Sequence, residues 1–308
     1  MREELKSISF SSVSDLDSFI NKMAILYSQQ FQSDKVDVVK LLHWKYVNNP
    51  FGKSEGLLIE NVNGELVTMR MFTPWKLKLN ENSFQMLQPS DSATHNDYKG
   101  QGYFTRLTSE SLESFSYDGI FNFPNLNSIN IYKKLGFVQE EELMPFFRII
   151  PFSRLFFKTN HVKVNKCHIN DIHKILLEKS ESIVSTDWNV DALIWRFIDR
   201  PSSSYYVFID NSCFVIYRLN SDNPKRVDVI LTSPKFTNSD YKRFVDFLAM
   251  TGIVVLKYFG LNTDFFHQIS RDNLSFRKGN MLNFVSFGWC PGLSNENVRI
   301  ELAETDFI

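Results

Sequence analysis

A loop with two glycines separates a predicted strand from a predicted helix in the first half of the sequence. The strand covers Ser83–Gln88, the loop runs on to Lys99-Gly100-Gln101-Gly102-Tyr103-Phe104, and the helical pattern continues from Thr105 to Ser114. Such a loop exposes consecutive backbone N–H groups and the positive end of a helix dipole, so an anion site is predicted there. A simple turn is the alternative. The loop matches neither the Walker A nor the dinucleotide-binding pattern, so ATP and NAD are not favoured.

A second polar segment follows the next predicted strand, Gly119–Pro124. Asn125 is predicted to cap a helix that Gly136 ends, with Tyr132 in its interior. A phenol with a pKa of about 10 is a workable proton donor, although Tyr132 could also be a buried aromatic residue whose hydroxyl merely finds a partner. For Asn125, contact with a ligand and plain helix capping are both open.

Together the two segments resemble the GCN5-related N-acetyltransferase (GNAT) superfamily, whose members transfer an acyl group from acyl-coenzyme A to an amine. The resemblance implies that the glycine loop holds the pyrophosphate of coenzyme A, with Lys99 in the family's Arg/Gln place and Phe104 in place of a small residue. It also implies that Tyr132 protonates the departing thiolate and that Ser128 replaces an Ala. The implied coenzyme-binding residues are Gln88, Lys99, Gly100, Gln101, Gly102, Tyr103, Phe104, Asn125 and Ser128.

A base that would deprotonate the amine is harder to assign. The family resemblance places the thioester carbonyl against the backbone N–H groups of residues 88–91, and Asp91 is the favoured base in this stretch. A water relay and the absence of any dedicated base remain open alternatives. His95 titrates in a suitable range, but a loop histidine beside Asn96 and Asp97 is more often structural.

The elements that would position these residues occur twice. The segment from Leu42 to Pro50 aligns without a gap on that from Leu193 to Pro201, 151 residues further on, and each copy leads into two predicted strands. We therefore predict a mixed α/β fold made of two GNAT-like halves, each a mixed central sheet flanked by helices, with domains at 1–150 and 151–308. Chance similarity of one aromatic helix is the alternative. The second half has no glycine in 233–241 and is predicted to lack the phosphate loop.

The composition is that of a folded protein of ordinary size. The 308 residues include 34 Lys and Arg against 35 Asp and Glu, a net charge of −1, so neither nucleic acid nor an anionic membrane is favoured as a partner. The longest apolar stretch, Phe247–Leu256, is half as long as a membrane span, and the N-terminus does not resemble a signal peptide. These features predict a cytoplasmic protein.

The three cysteines, Cys167, Cys213 and Cys290, are far apart and are predicted to be reduced thiols. The segment from Cys167 to His173 superficially resembles a set of metal ligands. Its apolar residues instead favour the start of an amphipathic helix, with Asn170 as its cap, and no metal site is predicted.

These features predict an N-acyltransferase whose co-substrate is acetyl-CoA or another acyl-CoA. By analogy with tandem sugar N-acyltransferases, the expected acceptor is the amine of a dTDP- or UDP-linked amino sugar, bound between the halves near Lys45, Arg196 and Arg200. An aminoglycoside or peptide amine is the alternative acceptor, and a non-catalytic coenzyme A-binding module is the alternative function. The junction Phe146–Phe157 is apolar, so the halves are expected to pack together in a monomer or weak dimer.

Overall fold

The protein, represented by a computed structural model, contains two mixed sheets with helices on their faces. The structure describes residues 4–31, 35–151, 160–178, 183–210, 212–261, 263–290, 293 and 298–305. The helices are α1 Leu16–Phe31, α2 Lys35–Leu42, α3 Tyr103–Ser114, α4 Ile129–Lys134, α5 Lys166–Glu178, α6 Val190–Phe197, α7 Asn238–Met250 and α8 Asp264–Ser270. The strands are β1 Lys6–Ser9, β2 Glu55–Glu60, β3 Leu66–Leu79, β4 Asn82–Thr94, β5 Gly119–Asn122, β6 Val138–Leu143, β7 Phe146–Ile149, β8 Ser185–Thr186, β9 Tyr206–Asp210, β10 Cys213–Leu219, β11 Arg226–Thr232, β12 Val255–Tyr258, β13 Gly260–Leu261, β14 Ser275–Arg277, β15 Leu282–Phe287 and β16 Ile300–Glu301.

The first sheet has the strand order β1-β2-β3-β4-β5-β15-β6, and β8 pairs with the outer end of β3. Its central strands β4 and β5 are parallel but pair only at Met86 with Gly119 and at Leu87 with Ile120. Beyond these pairs β4 continues to Thr94 without β5 beside it. The two strands therefore form a fork that leaves one backbone edge of β4 open.

The second sheet has the order β14-β7-β12-β11-β10-β9, and strands β11 and β12 form its parallel pair. Each sheet contains strands from the other part of the chain: β8 and β15 lie in the first sheet, and β7 lies in the second. Strand β7 lies between β12 and β14, whereas β15 lies between β5 and β6. A large hydrophobic core joins residues of both sheets, from Trp75 and Met86 in the first to Phe214 and Ile216 in the second. The two sheets are thus bound together by shared strands and a shared core.

The prediction of a mixed α/β fold with helices flanking mixed sheets is confirmed. Strand β4 extends six residues beyond the predicted end at Gln88. The cysteine and histidines of 167–173 lie on the amphipathic helix α5, whose cap is Asn165 instead of the expected Asn170. Of the junction Phe146–Phe157, residues 152–157 lie outside the described residues.

Within the described part of the chain, no helix is both long and apolar enough to cross a membrane. The same part contains no group of three or more His, Cys, Asp or Glu side chains arranged around a metal position.

Candidate active site

The glycine loop lies at the open end of the fork and leads directly into α3. Gly100 and Gly102 have φ values of 76° and 77°, in the left-handed region that favours glycine. A Cβ atom at either position would meet no atom within 4 Å, and residues 99–102 are exposed. Gly102 precedes the first turn of α3 and supplies no side-chain cap. The start of this 12-residue helix is therefore open toward solvent, as an anion-binding site requires.

The two residues after Gly102 differ in their surroundings. Tyr103 is buried with Ile59, Val67 and Leu107, so its ring belongs to the core. Phe104 is half-buried, and its ring contacts Tyr132 edge-on at a centroid distance of 6.0 Å. Phe104 thus brings the start of α3 into contact with the predicted proton donor.

A bulge in β4 places two consecutive polar side chains, those of Ser90 and Asp91, on the same face of the sheet. Arg70 pairs with Ser92 and Phe72 with Pro89, so Ser90 and Asp91 together face one residue of β3. Such a bulge reorients side chains locally. Ser90 and Asp91 accordingly both contact the hydroxyl of Tyr46.

Asp91 is held by two neighbours on a short π-helix, His43–Val47. Lys45 Nζ lies 3.0 Å from Oδ2 of Asp91, and the Tyr46 hydroxyl donates a short hydrogen bond to the same oxygen. The other oxygen, Oδ1, accepts no hydrogen bond from any residue that the structure describes. π-Helices of this kind often occur at functional sites.

Tyr132 lies on the other face of the sheet, inside α4. The helix ends after it in a Schellman motif: Gly136 has a φ of 91°, and the Phe137 N–H donates to the Tyr132 carbonyl at 3.1 Å. The ring packs with Phe72 and Leu87, whereas Tyr46 packs with residues such as Met69 on the α1 and α2 side. The candidate acid and the candidate base therefore flank β4 from opposite sides.

Arg70 is a site residue that sequence reasoning missed. Its Nη2 donates a short hydrogen bond to the Tyr132 hydroxyl, and its Nε donates to Thr108 at 3.0 Å. Arg70 is 2% exposed, its guanidinium lies 4.8 Å from the Phe104 ring centroid, and it forms no ion pair with any described residue. A buried cation without a carboxylate is unfavourable unless another group compensates it. The signal in the sequence was an arginine inside the apolar strand β3.

Three predicted coenzyme contacts have other partners. The Gln88 side chain lies on the Trp75 side of the sheet, accepts from the Trp75 indole at 2.7 Å and donates to the Glu304 carbonyl at 3.0 Å. Asn125 Oδ1 accepts from the Asn127 and Ser128 N–H groups and from the Ser128 hydroxyl. Asn125 thus caps the turn before α4, which begins only at Ile129.

The three cationic residues expected near the acceptor already contact other groups of the protein. Lys45 forms the ion pair with Asp91. Arg196 is buried and donates to the carbonyls of Ala303 and Thr305 near the end of the described chain. Arg200 is half-buried, with its guanidinium 5.3 Å from the centre of a Trp44 ring. Of the three, Arg200 is the best placed to contact a ligand.

Part of the chain is similar to a known protein family. Residues 14–139 match the family model of an acetyltransferase (GNAT) domain. This range includes the glycine loop, Asp91 and Tyr132. No curated protein matches the chain.

Solved structures of N-acyltransferases share the fold over most of the chain. A GCN5-related N-acetyltransferase from Anabaena variabilis has a TM-score of 0.66 at 12% identity, and one from Kribbella flavida has 0.63 at 10%. Each alignment covers 92% of this chain, with 72% and 71% of the respective relative. Saccharomyces cerevisiae N-myristoyltransferase with bound myristoyl-CoA has 0.58 at 10% identity, covering 94% of this chain and 83% of the yeast protein. Residues 14–139 are thus similar to a GNAT acetyltransferase domain, and this match together with the shared fold supports an acyl-CoA-dependent N-acyltransferase.

Proposed function

We propose that the protein transfers an acyl group from acyl-CoA to a primary amine, with the coenzyme held by the first half. The observation that carries this proposal is the position of the Tyr132 hydroxyl, bonded to Arg70 beside the fork of β4 and β5. The backbone of residues 99–104 would hold the pyrophosphate, with the Lys99 side chain beside it. The open edge of β4 at residues 88–91 would hold the thioester carbonyl.

The residues present can carry the proton transfers of such a reaction. The amine nitrogen attacks the thioester carbon, the C–S bond breaks and an amide forms. The leaving thiolate takes the Tyr132 proton, and the Arg70 cation stabilises the phenolate until it is reprotonated from solvent. The proton released by the amine goes to Asp91 Oδ1 or to water. Arg70 uses a lone pair of the Tyr132 oxygen, so the phenol proton remains available for the thiolate.

We further propose two related domains, 1–150 and 151–308, of which only the first binds coenzyme. The start of α7 supports this division. There Thr237 and Asp240 form a capping box, in which the Asp240 carboxylate accepts from the Thr237 N–H at 2.8 Å. Because this carboxylate already compensates the helix terminus, a second pyrophosphate site at α7 is disfavoured.

The acceptor that we propose is the amine of a dTDP- or UDP-linked amino sugar, lying between the halves. An acceptor with a long anionic portion would bind against the second half. This would give a role to the 158 residues of 151–308, which have no glycine loop. An aminoglycoside or a peptide amine is the second candidate acceptor. A coenzyme A-binding module without catalysis is disfavoured by the Arg70–Tyr132 pair, which simple binding does not require.

A panel of amines tests this function. Each amine is incubated with acetyl-CoA and the full chain, free thiol is followed over time, and the product is analysed by mass spectrometry. We expect thiol release and an acetyl amide with a nucleotide-linked amino sugar, and neither with the free amino sugar. Turnover with only an aminoglycoside or peptide amine would replace the acceptor assignment. Coenzyme A binding without turnover on any amine would contradict the enzymatic function.

A further inference from the structure

A row of charged side chains crosses the second sheet on the face that carries Phe214 and Ile216. Arg218 on β10 pairs directly with Asp228 on β11, which pairs directly with Lys257 on β12. Directly paired residues lie on one face of a sheet. Because Phe214 and Ile216 belong to the core shared by both sheets, the charged row borders this core.

Positive charge exceeds negative charge in this row. Within the described residues, Asp228 is the one carboxylate that forms an ion pair with Arg218, Arg226 or Lys257. Arg218 Nη2 lies 3.4 Å from Asp228 Oδ2, and Arg226 Nε lies 3.3 Å from Oδ1. Lys257 Nζ lies 5.0 Å from the ring centroid of Phe259, and burial lowers the pKa of Lys257. Arg218 and Arg226 thus share a single carboxylate, and Lys257, the third half-buried cation, forms no ion pair with any described residue.

Two further groups connect this row to the first half. Tyr205 accepts hydrogen bonds from Arg196 at 3.2 Å and Arg200 at 3.1 Å. Burial would raise the pKa of Tyr205, but Arg196, Arg200 and Arg218 together lower it below its usual value. Arg200 in turn lies against Trp44, two residues from the Tyr46 that contacts Asp91. The positive region therefore extends from the charged row toward the candidate base.

Two aromatic rings continue the row beyond Lys257. Lys257 pairs with Phe147 on β7, and Phe147 pairs with Phe276 on the edge strand β14. The two rings are stacked, with centroids 5.9 Å apart and planes at 20°. Phe276 is 43% exposed, so this pair offers a ring face beside the cations. A flat apolar group could stack there.

We propose that Arg218, Arg226 and Lys257 bind the diphosphate of a nucleoside diphosphate, and that the Phe147–Phe276 pair contacts its base. The inference rests on the proposed function, because the ligand is the anionic portion of the acceptor. A diphosphate supplies the negative charge that the cluster lacks, and arginine donates to phosphate oxygens in pairs. Arg200, which donates to Tyr205 and lies against Trp44, is the cation that the ligand would contact on its path toward the amine-binding side.

Calorimetry with uridine diphosphate, thymidine diphosphate, inorganic pyrophosphate and uridine tests the site. We expect both nucleotides to bind, pyrophosphate to bind more weakly, and uridine to show no binding. The combined Arg226→Gln and Lys257→Gln variant should raise the nucleotide Kd at least tenfold and leave the coenzyme A Kd unchanged. Lys225→Gln, which removes a neighbouring exposed charge, should change neither. Added salt should weaken nucleotide binding in the wild type.

Further experiments distinguish nucleotide binding at this site from binding at the coenzyme site. Nucleotide binding should persist in the presence of saturating coenzyme A. Displacement of the nucleotide by the coenzyme would overturn the proposal. An unchanged nucleotide Kd in the double variant would also overturn it. If the double variant does not fold, Phe276→Ala, at an exposed position, serves as the second variant. An unchanged nucleotide Kd in Phe276→Ala would also count against the site. If both nucleotides bind as expected but no nucleotide-linked amine is acetylated, the anion site stands and the proposed acceptor fails.

Discussion

The indole of Trp44 donates a hydrogen bond to the carbonyl of Trp195 at 2.7 Å, and the indole of Trp195 donates one to the carbonyl of Trp44 at 2.8 Å. The rings stack with centroids 4.6 Å apart and planes at 11°. These two residues occupy equivalent places in the sequence repeat. A reciprocal contact of this kind is what a local two-fold axis between two related segments produces. It supports the proposal of two related halves and explains why both copies are rich in aromatic residues.

The glycine loop provides a binding prediction. Gly102→Val should raise the coenzyme A Kd more than tenfold, because the added side chain projects into the open space in front of α3. The left-handed φ costs roughly 1–2 kcal/mol in addition. Gly252→Val is a matched control, since Gly252 has a φ of 83° and equally open surroundings at the end of α7. Calorimetry should show unchanged affinity in the control; equal losses in both variants would count against the loop.

Tyr132→Phe tests acid catalysis. The ring and its packing remain, while the proton and the bond from Arg70 are lost, so kcat should fall by about 10- to 10⁴-fold with little change in coenzyme binding. Tyr117→Phe is the control: it deletes a hydroxyl whose one partner among the described residues is the Leu112 carbonyl, at 2.9 Å, and kcat should not change. A wild-type kcat in the Tyr132→Phe variant would show that Tyr132 is a core residue without a role in proton transfer.

The Arg70–Tyr132 pair predicts that the two residues act as one unit. Arg70→Met should lower kcat nearly as much as Tyr132→Phe, and Arg70→Lys should restore part of the rate by keeping the charge. In the Tyr132→Phe background Arg70→Met should have little further effect, because its target is absent. Steady-state kinetics on the four members of this cycle measure the coupling. Simple additivity of the two losses would limit Arg70 to a structural role.

The exchanged strands predict that the first half does not function alone. Residues 1–150 lack β15, which lies between β5 and β6, and carry β7, which belongs to the other sheet. The fragment would leave strand edges and core residues exposed, and it should aggregate or be inactive. Size-exclusion chromatography and the thiol assay check this. A soluble, fully active fragment would refute the proposal that the second half builds the acceptor site.

Glu304 predicts a pH dependence of stability. Burial and the neighbouring Glu301 raise its pKa to about 7, and it lines a cavity of about 40 Å³ with Lys78 and with Arg299, which pairs with Glu301. An acid with a raised folded pKa contributes stability that is complete below about pH 4.5 and is lost as the pH rises to about 7. The Tm should therefore fall across this window. The Tm of Glu304→Gln should fall less; equal slopes would show that other groups cause the effect.

Local features of the site were predictable from the sequence. The loop with Gly100 and Gly102, the helix after it and the stop at Gly136 depend on backbone conformations that few residues other than glycine adopt. Short-range patterns such as these determine turns and helix ends, because the interacting groups are a few residues apart. The sequence alone therefore determined the mixed α/β class, the candidate phosphate loop and the helix that holds Tyr132.

Contacts between distant residues required the tertiary structure. Arg70 meets Tyr132 across 62 positions and Lys45 meets Asp91 across 46, and no local pattern specifies either pairing. The β4 bulge that turns Asp91 toward Tyr46, and the exchange of β7 and β15, depend on strand register. Register is set by burial and by pairing with neighbouring strands, which a linear pattern does not contain. The sequence thus determined which groups are present, and the fold decided which of them meet and on which side of β4 each one lies.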